Sequence, residues 1–156
     1  MPRYLQFVGS FNLADVILGC YRQATMVEIQ QLSSQNDGRG WSCPLGDILV
    51  RALSAPKDAH LATIEGMHIR GNHFHNRSEV LVVLFRGAWT FAWDNGEGTL
   101  PASRSFVDEG AVMIHVPPLA SHAIRNDSEL PLILLSASDG IYCPANPDAQ
   151  RRIVLK

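Results

Sequence analysis

An all-β chain, folded as an antiparallel sandwich or barrel, is the architecture this sequence predicts. Three observations carry it. From Met26 onward, short runs rich in Val, Ile, Leu and aromatic residues alternate with clusters of turn formers. Twelve Gly and nine Pro supply those turns. Helical periodicity is nearly absent, which leaves many short strands at even spacing. The 156 residues amount to one domain of ordinary size.

Residues 1–40 read as an N-terminal extension that packs on the barrel or on a partner subunit, and 41–156 as the β-domain. Within the extension, Asn12 is placed to cap a short helix whose apolar side is Leu13, Val16, Ile17 and Tyr21. Strands are expected at Val27–Leu32, Asp47–Leu53, Leu61–Ile69, Val80–Phe85, Ala88–Trp93, Ser103–Val107, Ala111–Val116, His122–Asn126 and Leu132–Ala137, with a last one over Arg152–Leu155. Val27–Leu32 is expected to add to a sheet across a homodimer, which would hide an edge. Turns fall at Asn36–Gly40, Asn95–Gly98, Asp108–Gly110, Pro117-Pro118 and Asn126–Ser128, where Gly and Asn reach positive φ and Pro fixes it. Trp89, Phe91 and Trp93 have period two, so they share one sheet face and read as core or interface.

Composition excludes several classes. Hydrophobic residues at 46% and charged residues at 18% are incompatible with a disordered chain. Thirteen Lys+Arg against fifteen Asp+Glu leave no basic excess for nucleic acid. No apolar run is long enough to span a membrane. Cys20, Cys43 and Cys143 are widely spaced and odd in number, so they form neither a disulfide framework nor a zinc knuckle. Ile17-Leu18-Gly19-Cys20 has the outline of a lipoprotein cleavage box, but Gln6, Asn12 and Asp15 interrupt the apolar stretch before it. A cytoplasmic protein is therefore expected.

The chemistry concentrates in the histidines. His73 and His75 flank Phe74, and in a strand positions i and i+2 project to the same face. Glu79 comes next, at the inner end of a very apolar strand, where a carboxylate is costly without a partner. Much later, Pro117-Pro118-Leu119-Ala120-Ser121 leads into His122, which a proline turn would place at a strand start. Three imidazoles and one carboxylate suit a divalent transition metal (Zn, Fe, Mn or Ni) with open positions, and do not suit Ca²⁺ or Mg²⁺.

These residues resemble the two motifs of the cupin superfamily. The first is Gly66…His73-Phe74-His75-Asn76-Arg77-Ser78-Glu79…Gly87, and the second is Gly110…Pro117-Pro118-Leu119-Ala120-Ser121-His122-Ala123-Ile124-Arg125-Asn126. Leu119 replaces the glycine of the second motif, so that turn is expected to do without positive φ there. The resemblance implies a small cupin-type β-barrel (jelly roll, RmlC-like), with a metal held inside one end by His73, His75, Glu79 and His122. Asp37–Trp41, Arg70–His75 and Asp139–Asp148 look more narrowly like the cupin domains of bacterial capsule and nucleotide-sugar enzymes. That finer likeness implies an epimerase or isomerase whose substrate is a small molecule, a sugar nucleotide in particular.

Such chemistry needs a base beside a carbonyl and a group that stabilises the enolate. His68, His115 and Tyr142 are the candidate catalytic residues. Arg70 and Arg125 are candidates for an anionic group of the substrate, and Trp89 for stacking on a ligand ring. His60 has no assigned role. Three activities compete: a metal-dependent sugar or keto-acid isomerase or epimerase, a metal-dependent dioxygenase using the same ligands, and a non-catalytic module for a small metabolite or sugar.

Overall fold

The computed structural model describes residues 25–156 apart from Ser54 and Arg86. The short helix expected near Asn12 and the reading of Cys20 lie outside those residues. In chain order the elements are β1 (Glu28–Gln31), β2 (Gln35–Asp37), β3 (Gly40–Ser42), α1 (Gly46–Leu53), β4 (Asp58–Ile64), β5 (Ile69–Phe74), β6 (Glu79–Phe85), β7 (Ala88–Trp93), β8 (Ala102–Val107), β9 (Gly110–Val116), β10 (His122–Asn126), β11 (Leu132–Ser138) and β12 (Gln150–Arg151). One sheet runs β1-β9-β6-β11-β4, a second runs β12-β5-β10-β7-β8, and β2 pairs with β3 alone. Every pairing is antiparallel. Among the described residues no helix is long and apolar enough to cross a membrane.

The two large sheets enclose the main core. Alternation sends Leu81, Val83 and Ile114 inward from the first sheet, against Trp89, Phe91 and Ile124 of the second. The opposite face of the first sheet is also covered. Val80, Val82 and Met113 project outward there and meet Leu32, Trp41 and Leu53. Strands β6 and β9 are thus buried on both faces, which is why their sequences are nearly unbroken apolar runs.

Four expectations need correction. Asp47–Leu53 forms most of α1 rather than a strand. Leu45, Leu49, Ala52 and Leu53 stand at helical spacing, and this face supplies the second core, which overrides the local β-preference of Ile and Val. Leu61–Ile69 is not one strand: the chain turns between β4 and β5, with Met67 at φ 62°. The last strand is Gln150–Arg151, because the N–H groups of Val154 and Leu155 bond the Asn72 side chain (2.9 and 3.0 Å) instead of a ladder. The strand expected to cross a dimer, β1, pairs with β9 of its own chain.

A bulge in β5 sets the direction in which its side chains point. His122 sits opposite His73, but the next residue, Ala123, sits opposite Gly71, so Asn72 is an inserted residue. Gly71 has φ 101° and Asn72 φ 56°. A Cβ on Gly71 would lie 2.6 Å from the carbonyl oxygen of His122. The insertion shifts the alternation, so Arg70 and His73, three residues apart, line the same cavity. The proline turn also differs from expectation. Leu119 adopts φ 68° despite its side chain, and its N–H donates to the carbonyl of His75 at 2.7 Å.

These two positions make opposite predictions for urea denaturation. Gly71→Ala should lose more than about 2 kcal/mol, from backbone strain plus the clash. Leu119→Gly should gain about 1 kcal/mol by relieving a left-handed residue whose side chain is half exposed. An unchanged midpoint in Gly71→Ala would contradict the close approach of β5 and β10.

Candidate functional site

Four side chains converge at one end of the barrel. Glu79 opens β6 and is buried; His73 lies near the end of β5 and His75 just beyond it; His122 opens β10 and is buried. The ring centroids of His73 lie 4.8 Å from His75 and 4.9 Å from His122, and His75 and His122 are 6.1 Å apart. Glu79 Oε2 stands 3.3 Å from His122 Nε2 and 3.7 Å from His75 Nε2. One donor atom each from His73, His75 and Glu79 lies within 4.8 Å of the others. The other carboxylate oxygen, Oε1, accepts a hydrogen bond from Ser136 Oγ at 2.5 Å.

The electrostatics favour neutral rings at His73 and His122 beside an ionised Glu79 carboxylate. Burial, joined by the neighbouring His122 and His75, pushes the His73 imidazole down from 6.5 to about 4. Burial likewise lowers His122, against the opposing pull of Glu79. For Glu79, burial acts to raise the carboxyl, but the charge interactions with His122 and His75 and the Ser136 hydrogen bond outweigh it, and the net direction is down. Deprotonated imidazoles and a carboxylate are the states in which these groups ligate a metal.

A divalent metal fits the residues present. Glu79 Oε2 is buried, has no hydrogen bond among the described residues, and faces two imidazole nitrogens. Lone pairs aimed at one another need a cation or a proton between them. The donor set is three nitrogens and one oxygen, the mixture that transition metals take.

A cavity of about 90 Å³ opens beside the cluster. His73, Glu79 and His122 line it together with Arg70, His60 and Ser136. Arg70 makes one long hydrogen bond, 3.4 Å to the carbonyl of Thr63, and no ion pair among the described residues. The rest of the lining is mainly apolar, including Leu81, Ile124 and Leu134.

The other expected site residues lie elsewhere. His115 alternates with Ile114 and Val116, which face the barrel core, so it projects to the outer side of the sheet. His68 is exposed in the turn before β5, at the opposite end of that strand from His73, with Nδ1 2.7 Å from the carbonyl of Gly66. Tyr142 is exposed on the segment after β11, its backbone N–H bonded to Asp58. Arg125 points away from the side taken by Ile124 and pairs with Asp127. Trp89 is fully buried in the core, stacked on Phe106 with centroids 3.9 Å apart, so no ligand reaches its ring. None of these five lines the cavity.

His60 and Ser136 are the polar lining residues that sequence reasoning misses. They are paired across β4 and β11 and share the inward face. The period-two set His60, Ala62, Ile64 carries that signal, because Ile64 is buried in the core.

The sequence matches no protein-family model and no curated protein. Solved structures do match the fold. The 4-keto-6-deoxy sugar epimerase NovW from Streptomyces spheroides superposes with TM-score 0.61 at 20% identity, over 76% of this chain and 66% of that one. This chain therefore spans just under two thirds of NovW. The sugar 3,4-ketoisomerase QdtA from Thermoanaerobacterium thermosaccharolyticum gives 0.60 at 18% identity, over 81% and 88%. The epimerase RmlC from Legionella pneumophila, solved with dTDP-4-keto-L-rhamnose, gives 0.62 at 14% identity, over 77% and 70%. At such identities the likeness is one of fold, and two antiparallel sheets closed around a single core have the matching architecture. The fold of this chain is that of the RmlC-like cupins.

Proposed function

We propose that this protein is a metal-dependent isomerase or epimerase acting on a keto sugar carried by a nucleotide. The observation that carries the reading is the cluster of His73, His75, His122 and the buried Glu79, three of which (His73, Glu79 and His122) line a cavity shared with Arg70 and His60. The fold supports it, because its solved examples include a sugar epimerase and a ketoisomerase. A cation bound by His73, His75, Glu79 and His122 would supply Lewis acidity toward the substrate carbonyl.

The chain's own residues do the rest. Arg70 is free to receive an anionic or carbonyl oxygen of the substrate. His60 is exposed and lines the cavity, so its imidazole can take the proton from the carbon beside the carbonyl. Protonation of the resulting enolate on its opposite face, by water, epimerises the carbon and leaves the first proton on His60. Where that carbon carries a hydroxyl, the hydroxyl proton passes to the former carbonyl oxygen while His60 returns its proton to the former carbonyl carbon, and the ketone moves by one position. Leu81, Ile124 and Leu134 limit water around the reacting carbon. A cytoplasmic homodimer completes the proposal, with the exposed Leu61 and Ile133 on the outer face of β4 and β11 as support.

The test begins with metal. Protein purified without a metal-binding tag should carry close to one transition metal per chain by mass spectrometry, and His75→Ala should lose most of it. Turnover is then sought on keto sugar nucleotides and keto acids. Zinc would eliminate the dioxygenase, whereas iron with oxygen uptake would eliminate the isomerase. Full turnover in metal-free protein would overturn the metal dependence.

His60→Gln should lower kcat roughly 100-fold while metal content stays unchanged. A normal kcat would remove His60 as the base.

The buried rings predict acid sensitivity of the metal-free protein. His73 binds its proton near 6.5 when unfolded and only near 4 when folded, and His122 shifts the same way. The unfolded chain therefore binds more protons in this window, and stability falls as pH drops from 6.5 toward 4. The lowered Glu79 acts in the same direction below 4.5. The urea midpoint of chelator-treated protein should change little above pH 7 and fall from pH 6.5 toward pH 4, less steeply in His73→Gln. A flat profile would contradict the burial of neutral rings.

A further inference from the structure

His75 has a carboxylate facing each of its nitrogens. Nε2 faces Glu79 Oε2 at 3.7 Å, and Nδ1 faces Asp148 Oδ2 at 3.5 Å. Nδ1 is buried and makes no hydrogen bond among the described residues. Asp148 comes from the segment between β11 and β12, and its carboxylate is held firmly. The backbone N–H of Asn76 donates to both oxygens at 3.2 Å, the Asn76 amide donates to Oδ1 at 3.1 Å, and Arg77 Nε lies 3.3 Å from Oδ2. Two successive residues of the ligand loop therefore fix the position of this acid directly behind the ring of a third.

We propose that Asp148 is a positioning residue for the metal centre: it accepts the Nδ1–H of His75 and so leaves the Nε2 lone pair facing Glu79. A neutral imidazole carries one N–H, and the hydrogen bond made by that N–H decides which nitrogen is free to ligate. Closing the 3.5 Å gap to hydrogen-bond length takes a shift of a few tenths of an ångström. Ligating histidines commonly donate their second ring N–H to such an acceptor, and losing it costs about 10–100-fold in metal affinity. The carboxylate also ties the ligand loop to the C-terminal segment, so ordering that segment and orienting His75 are one event. The proposal rests on the reading of the cluster as a metal centre.

The experiment compares wild type, Asp148→Asn and Asp148→Ala by two measurements. Zinc affinity is measured by competition with a chromophoric chelator. The His75 tautomer is read from ¹⁵N chemical shifts of the metal-free protein. Wild type should show the Nδ1–H tautomer. Asp148→Ala should lose that preference and bind zinc about 10–100-fold more weakly. Asp148→Asn, whose amide oxygen still accepts, should fall between the two and keeps the test available if the alanine variant does not fold. A role confined to tethering the chain would leave the tautomer unchanged. Zinc affinity and tautomer both unaltered in a folded Asp148→Ala would overturn this proposal alone. Wild-type protein that binds no zinc or other transition metal would overturn it together with the metal reading.

Discussion

The structure is organised around one costly act, the burial of the Glu79 carboxylate at the mouth of the most apolar strand. Taking such a group out of water costs several kcal/mol unless it is compensated. Ser136 satisfies one oxygen, and the imidazoles of His75 and His122 face the other, where a cation or proton between them completes the compensation. Those partners come from β11, from the loop after β5 and from β10. The compensation therefore exists only when both sheets are closed, and an unfolded or half-assembled barrel does not provide it. Stability and site geometry are coupled through this one residue.

The backbone around the site shows what that convergence requires. Gly71, Asn72 and Leu119 all have positive φ, and all three lie close to the clustered histidines or hydrogen-bond to them. Such conformations cost of order 1–3 kcal/mol each at non-glycine positions and persist only where surrounding contacts fix them. The C-terminal segment supplies those contacts. Val154 and Leu155 donate to the Asn72 side chain, whose amide donates in turn to the carbonyl of Leu155. Arg152 reaches the carbonyl of Leu119 and lies over the Phe74 ring, 4.2 Å from its centroid. The last residues of the chain thus hold both strained turns at once, beside the segment that brings in Asp148.

Much of this is legible in the amino-acid sequence alone. Alternation locates β7 and β10 to the residue, because each has one clear inward face and turn residues at both ends. The H-x-H pair, the glutamate and the distant histidine also emerge, since a carboxylate at the head of Val80–Phe85 has few cheap explanations. What stays hidden is whatever breaks alternation or depends on distant pairing. The bulge at Asn72 changes the parity of β5, so no count along the strand can place Arg70 beside His73. Asp148 meets Asn76 across 72 residues of chain. His115 looks usable because it precedes the proline turn, yet its face is decided by β9 being covered on both sides.

That double covering also explains the low share of charge, 18% of residues, and the location of the chemistry. A sheet with one wet face alternates polar with apolar, whereas β6 and β9 have an apolar layer on each side and cannot. Ionisable groups are then excluded from the middle of these strands. They enter at the ends, where Glu79 opens β6, His122 opens β10 and His73 lies near the close of β5. His115 shows the rule from the other direction. It sits within β9, its Nε2 is buried without a hydrogen bond among the described residues, and burial lowers its affinity for a proton against the pull of Glu28 and Asp139. A ring in that position stays neutral and packs. The same residue type at a strand end, within reach of a carboxylate and a cavity, is free to take part in chemistry.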